Sequence, residues 1–192
     1  MEQVIVHMSM SLDGFVAGPN VGLERPMGEG GERLHEWLFA DPRDPRDAEV
    51  AAEMLAEIGA VVLGNRTFTV GEAQWGGATP FPVPCFVLTH VAREELVKGP
   101  TSFTFVTEGV ESALGQARAA AGDKHVALMG ADVTQQFLRA GLLDELQINL
   151  VPVLLGGGTR LFEHLGADHV ELERTRVIES PRVTHLRFRV LK

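Results

Sequence analysis

The chain of 192 residues is long enough for one well-buried domain and short for two. Its composition, 45% hydrophobic and 22% charged, is that of an ordinary globular protein, and no apolar run reaches membrane-spanning length. A net charge of −9 argues against a general nucleic-acid or anionic-membrane surface, and a single cysteine, Cys85, excludes an internal disulfide framework and suits a reducing cytoplasm.

The N-terminal MEQVIVHMSMSLDG lacks the basic region and cleavage site of a signal peptide, so a cytoplasmic location is expected. Residues 4–8 read as the first strand. Helices are expected over 31–39 and 47–58, divided by the turn-rich DPRDP at 41–45. In the first, Leu34, Trp37 and Leu38 stand at i, i+3 and i+4 and pack inward; Trp37 is open between core and pocket wall. Its neighbours Glu32, His35 and Glu36 could cover a substrate side. Residues 60–63 read as a buried strand, and a long Gly/Pro-rich loop carrying Trp75 is expected over 71–84. Strands follow at 85–89 and 103–106, then a helix at 110–121, a strand at 125–129 and a helix at 132–140. Cys85, in the apolar PCFVLT, reads as a buried thiol. A strand at 145–151 precedes an antiparallel pair at 170–177 and 184–190. This alternation predicts a single α/β domain over residues 1–192: a mainly parallel mixed sheet, helices on both faces, and an antiparallel C-terminal strand pair.

Three strand ends carry glycine corners. In VVLGNRTF (61–68), the strand stops at Gly64; a helix turn after it would point backbone N–H groups at an anion, with Thr67 as hydroxyl donor and Arg66 as a guanidinium fork. In HVALMGADVTQQFL (125–138), a strand ends at Met129-Gly130-Ala131, with Asp132 as the expected N-cap and Gln135 at the capping-box position. In MSMSLDGFVAG (8–18), a strand runs into a loop holding Ser9, Ser11 and Asp13. Three such corners would share the carboxyl edge of one sheet, where open α/β sheets bind ligands. Taken singly, each also reads as an ordinary turn.

Together these stretches resemble the dihydrofolate reductase-like superfamily, and most closely the reductase (RibD C-terminal) domain of bacterial riboflavin biosynthesis. MSMSLDGFVAG is similar to that family's first-strand motif, and VVLGNRTF to the Gly-x-x-Thr phosphate motif of dihydrofolate reductases. PCFVLTH resembles the strand whose end meets the adenosine 2′-phosphate, and ALMGADVTQQFL the pyrophosphate turn and helix. DELQINLVPVLLGGGTRLF resembles the late strand and Gly-rich turn.

The resemblance implies NADPH as cofactor. Arg66 and Thr67 would hold phosphates, Thr89 and His90 would sit beside the 2′-phosphate, and Gly130, Ala131, Asp132 and Val133 would wrap the pyrophosphate. Ser9 and Met10 would face the nicotinamide, and Gly64, Met129 and Thr134 complete the cofactor set. Ser9 and Asp13 are the candidate catalytic groups. Trp37, Asp47 and Gly157 are the candidate substrate residues. In classical dihydrofolate reductases a helix carboxylate binds the pterin; a gap-free count places Ala48 there, between Asp47 and Glu49. The implied activity is hydride transfer to a C=N or C=O bond of a small heterocycle, as in 5-amino-6-(5-phosphoribosylamino)uracil reduction. The alternatives are a dihydrofolate reductase and a non-catalytic NADPH-binding sensor or scaffold.

Other chemistries lack their residues. There is no Tyr for a Tyr-Lys pair, no Walker or Gly-x-Ser-x-Gly sequence, and Leu161 interrupts a Rossmann fingerprint begun at Gly156. The seven His are scattered, so no metal site is expected. A small-molecule substrate is expected as partner, with no nucleic acid and no membrane. Riboflavin-type reductases similar to this chain pair as dimers, and pairing would cover the edge of the C-terminal strand pair, so a homodimer is expected.

Overall fold

The computed structural model describes residues 2–76, 81–166 and 169–192. In chain order it contains β1 (Val4–Ser11), β2 (Phe15–Ala17), a 3-10 turn (Gly31–His35) running into α1 (Glu36–Phe39), α2 (Pro45–Glu57), β3 (Ile58–Gly64) and α3 (Asn65–Trp75). β4 (Cys85–Leu88), β5 (Leu96–Lys98), β6 (Thr101–Val106), α4 (Val110–Ala121), β7 (His125–Met129) and α5 (Ala131–Arg139) follow. The chain closes with β8 (Glu145–Val151), β9 (Thr159–Arg160), β10 (Leu172–Glu179) and β11 (Thr184–Val190).

Nine strands form one sheet in the order β10-β11-β8-β1-β7-β3-β4-β6-β5. The stretch from β8 to β6 is parallel throughout. β11 and β10 extend one side antiparallel, and β5 closes the other side antiparallel to β6. This is the mainly parallel mixed sheet with an antiparallel C-terminal strand pair that the strand-helix alternation predicts.

Alternate residues of the inner strands face opposite layers, as a sheet buried on both faces requires. Val4, Val62 and Leu128 pack with Leu114 of α4 and with Val133 and Phe137 of α5. On the other face Val61, Cys85 and Phe103 pack with Phe68 of α3. A third cluster joins Leu34, Trp37 and Ala51 to Val151 and Val183. Leu34 and Trp37 are both buried, so the inward helix face anticipated there is present.

Several local expectations are corrected. α3 runs through to Trp75, where a loop was expected from residue 71; residues 77–80 of that loop lie outside the described residues. Gly71 lies inside this helix under the Trp75 indole, and that indole stacks on Phe103 at 5.9 Å and 11°. The N-cap of α5 is Gly130, not Asp132, which sits in the first turn and accepts from Gln136 Nε2 at 2.7 Å. Gln135 makes no capping box: its Nε2 donates to the carbonyls of Arg160 and Leu161, both at 3.1 Å. The strands β2, β5 and β9 are two or three residues long, too short to carry a readable period.

β2 pairs with β9 as a small second sheet, and Asp13 clasps it to the Gly-rich turn after β8. Asp13 Oδ1 accepts from Ser11 Oγ at 2.6 Å and from Leu155 N at 3.1 Å, and Oδ2 accepts from Gly156 N at 2.8 Å. Arg160 lies over the Phe15 ring at 4.3 Å and donates to the Asp13 carbonyl at 3.0 Å. The Ser11 hydroxyl, followed by the Gly156 and Leu155 amides, holds the Asp13 carboxyl well below its ordinary value, at about 2. A depressed carboxylate stabilises above its unfolded pKa and loses that contribution as pH falls through the folded one. The clasp is therefore expected to hold above about pH 4 and release as pH drops toward 2, read from the Gly156 amide shift by NMR. A Gly156 shift titrating at the ordinary Asp value of 3.8 or higher would refute the clasp.

Candidate active site

The strand order sets the site. β1, β7, β3 and β4 are adjacent and parallel, so their carboxyl ends stand side by side. Along that edge lies a cleft of about 940 Å³. Ser9 of β1 lines it, with Met129 and Gly130 at the end of β7, Gly64 and Asn65 at the end of β3, and Thr89 and His90 after β4.

Two helices begin at this edge with no intervening loop: α3 at Asn65, directly after Gly64, and α5 at Ala131, directly after Gly130. Each presents first-turn N–H groups that have no partner inside the helix. The two starts are pressed together. A Cβ on Gly130 would stand 2.6 Å from Thr67 Oγ1, and Gly130 has φ +104°, a conformation L side chains rarely adopt. Gly64 has an extended φ of −81° and matters for spacing instead, since a Cβ there would sit 3.4 Å from Val133 Cγ2. Ala131, Asp132 and Val133 also line the cleft.

Arg66 and Thr67 reach the cleft from the first turn of α3. Arg66 has no acidic partner among the described residues; its Nη2 lies 3.5 Å from the Val21 carbonyl. An unpaired guanidinium beside two helix N-termini attracts phosphate.

Ser9 is nearly buried, and its Oγ accepts from Trp37 Nε1 at 3.0 Å. Trp37 meets His185 edge-on at 5.0 Å. His185 Nε2 lies 3.0 Å from Asp47 Oδ1, and its Nδ1 lies 2.7 Å from Asn149 Oδ1. Trp37 is thus a core residue that touches the site through Ser9.

Other expected residues stand elsewhere. Met10 packs toward the α4–α5 layer, and Thr134 is fully buried with its hydroxyl donating to the Gly130 carbonyl at 2.9 Å; neither lines the cleft. Asp47 is 1% exposed, with its Oδ1 at 3.0 Å from His185 Nε2, and is not among the residues lining the cleft. Gly157 lies in the turn that Asp13 clasps, two residues short of the cleft-lining Thr159. Asp13 itself has both carboxylate oxygens engaged by that turn and is not among the residues lining the cleft.

The cleft is also lined by Val16 and Ala17, from the stretch that follows β1, and by Val21, Pro26 and Met27, which no motif singled out. His35 joins them. Its Nδ1 is buried without a hydrogen bond, and burial lowers its pKa, so the ring is neutral near pH 7. Of Glu32, His35 and Glu36, which the sequence offers as possible cover for a substrate side, His35 lines the cleft.

Comparison with known proteins agrees with this architecture. The RibD C-terminal domain family matches residues 2–186, so the chain belongs to that family. A Shewanella sp. PV-4 protein assigned by name to riboflavin biosynthesis superposes with a TM-score of 0.78 at 21% identity, covering 99% of each chain. The Thermotoga maritima diaminohydroxyphosphoribosylaminopyrimidine deaminase/5-amino-6-(5-phosphoribosylamino)uracil reductase gives 0.68 at 16% identity, covering 99% of this chain and 57% of its own. Dihydrofolate reductase from Enterococcus faecalis, complexed with NADP(H), gives 0.60 at 16% identity over 99% and 97% of the two chains. The family is one of riboflavin-pathway-type reductases, and its membership places the chain among oxidoreductases.

Gly130→Val is expected to abolish dinucleotide binding while leaving the fold, because the branched side chain enters the space of Thr67 in a strained conformation. Calorimetric titration with NADPH, with circular dichroism as the folding control, checks this. A folded variant with unchanged affinity would remove this turn from the site.

Proposed function

We propose that the chain is an NADPH-dependent reductase acting on a C=N or C=O bond of a small heterocycle of the riboflavin-pathway type. The observation that carries this is the paired start of α3 and α5, closed by Gly130 against Thr67 with Arg66 beside it. The space a Cβ on Gly130 would fill is taken by the Thr67 side chain, so the turn after β7 and the first turn of α3 meet in direct contact. The NADP(H) complex of the E. faecalis neighbour supports the same cofactor.

When bound, the cofactor supplies the hydride. The protein's part is binding and orientation. First-turn amides of α3 and α5 and the Thr67 hydroxyl hold the pyrophosphate, and Arg66 takes phosphate charge. Thr89 and His90 border the 2′-phosphate at the β4 end. Ser9, fixed by Trp37, orients the reacting ring at the β1 end. The wall of Val16, Val21, Pro26 and Met27 keeps water from that ring.

The dihydrofolate reductase alternative needs a carboxylate facing the pterin, and Asp47 faces His185 instead. Turnover separates the reductase from a sensor. NADPH oxidation, followed by absorbance, is expected with the ribosylamino-pyrimidine, but neither with dihydrofolate nor with no substrate. Binding without oxidation under all three conditions would favour the sensor. Arg66→Ala is expected to weaken NADPH by about 1.5–3 kcal/mol, the worth of a charged hydrogen bond, and NADH much less. Equal losses would show that Arg66 does not read the 2′-phosphate.

In the same reading the chain pairs as a homodimer. β10 ends the sheet with Leu172 and Val177 exposed, an edge that pairing covers. Light scattering at micromolar concentration is expected to give twice the 20.8 kDa chain mass. A mass near that of one chain would overturn the dimer.

A further inference from the structure

The anion-holding part of the cleft also carries a negative charge. Asp132 stands in the first turn of α5, two residues past Gly130, and is exposed. Among the described residues that line the cleft it is the one Asp or Glu, as Arg66 is the one Arg or Lys. The two belong to the first turns of the helices that meet where Gly130 approaches Thr67. They do not pair with each other. Arg66 Nη2 lies 3.5 Å from the Val21 carbonyl, and Asp132 Oδ2 accepts from Gln136 Nε2 at 2.7 Å.

A carboxylate accepts hydrogen bonds and donates none, so it repels phosphate and holds hydroxyl or amine protons. Gln136 occupies Oδ2 of Asp132; Oδ1 has no hydrogen bond among the described residues. The same contact sets the Gln136 amide, since only its NH2 group can face a carboxylate. Its Oε1 is left without a hydrogen bond among the described residues. Two unfilled acceptors thus stand one turn apart on α5, on residues that both line the cleft. Water satisfies such acceptors at an open surface, but a ligand that covers them must bring donors of its own.

Their place in the fold picks out one half of a dinucleotide. α5 packs over β7 and β3, and α4 over β3, β4 and β7. Thr107 and Gly109, which lead into α4, line the same cleft, as do Leu88 and Thr89 at the end of β4. Asp132 and Gln136 therefore stand on the side toward β4, away from Ser9 on β1. In the reading above that is the side of the 2′-phosphate, and so of the adenosine.

We infer that Asp132, with the Gln136 amide set by it, recognises a neutral hydrogen-bond donor of the adenosine half, the ribose 3′-hydroxyl or the adenine amino group, and leaves phosphate charge to Arg66 and the helix amides. The inference rests on the NADPH reading and deepens it. The two first-turn charges then fix how the nucleotide lies, with phosphates toward Arg66 and sugar and base toward Asp132.

The test is a calorimetric comparison of the wild-type chain with Asp132→Ala and Asp132→Asn at low salt. The probes are adenosine 2′,5′-bisphosphate, inosine 2′,5′-bisphosphate, which lacks the amino group, and inorganic pyrophosphate, which has neither sugar nor base. Asp132→Ala is expected to bind pyrophosphate as tightly or more tightly, because a like charge is gone, and to weaken the adenosine ligand roughly tenfold relative to pyrophosphate. Asp132→Asn, which keeps an acceptor oxygen, is expected to recover most of that loss. A relative loss confined to the adenosine ligand assigns the contact to the amino group; an equal relative loss for both nucleotides assigns it to the ribose hydroxyl. Equal changes for the nucleotides and pyrophosphate, in either direction, would overturn the inference, because the carboxylate would then act only through its charge or through the fold. A wild-type chain that binds neither NADPH nor the bisphosphates would overturn the reductase reading itself.

Discussion

The contact on which the site depends is Gly130 against Thr67. Two helices can start side by side on one sheet edge only if their connecting turns are small, and here the separation leaves no room for a side chain on one of them. Thr67 is anchored through the helix that carries Phe68, fully buried against Phe103 and Phe105 with both rings edge-on at 5.1 Å. Gly130 is anchored through Val133 and Phe137, both buried under β7 and β3. Core packing on opposite faces of the sheet therefore sets the spacing of two N-termini on its edge. Their unpaired amides and dipoles then converge on one region of space, which is what an extended anion requires.

A second constraint runs through the sheet from the cleft to its antiparallel side. Registers across β1, β8 and β11 align Ser9 with Asn149 and His185, and His7 with Gln147 and Arg187. These are two polar rows on one face of a sheet that is otherwise apolar. The first row is completed from above by Trp37 and Asp47. The second is completed by Glu57 at 3.0 Å and Glu145 at 3.1 Å from Arg187. Buried charge is tolerable only when paired and hydrogen-bonded, and most of this layer is. His7 stays neutral instead: burial, followed by Arg187, outweighs the raising effect of Gln147 and pushes its pKa down to about 3. The consequence for the site is a Ser9 hydroxyl held from behind by a rigid indole.

The cleft's second wall is made differently, by irregular chain. Residues 18–31 cross beside the Gly-rich turn after β8, and Gln74 Nε2 donates to the Leu23 carbonyl at 2.6 Å, tying that segment to α3. Backbone contacts of this kind carry no side-chain pattern. They bring Val21, Pro26 and Met27 to the cleft, with the Val21 carbonyl 3.5 Å from Arg66 Nη2.

Much of this was legible in the residues. Inner strands announce themselves as short apolar runs, and α4 and β7 have the boundaries that periodicity predicts. The corners at Gly64, Gly130 and the end of β1 were readable because glycine beside helix-starting polar residues has a local physical meaning. Local chemistry does not say which strands become neighbours or how a carboxylate is used. Asp47 and Asp13 both looked like functional acids, yet one is consumed by His185, 138 positions away, and the other by the Leu155 and Gly156 amides more than 140 positions away. Glu32, His35 and Glu36 looked equally able to cover a substrate side, and only the folding of the chain placed His35 on the cleft without the two acids. Sequence carries the period of each element and the conformational needs of its turns, since these act over a few residues. Side-chain partners across the sheet, and the charge left unpaired around the cleft, depend on strand order and register, and so belong to the tertiary structure alone.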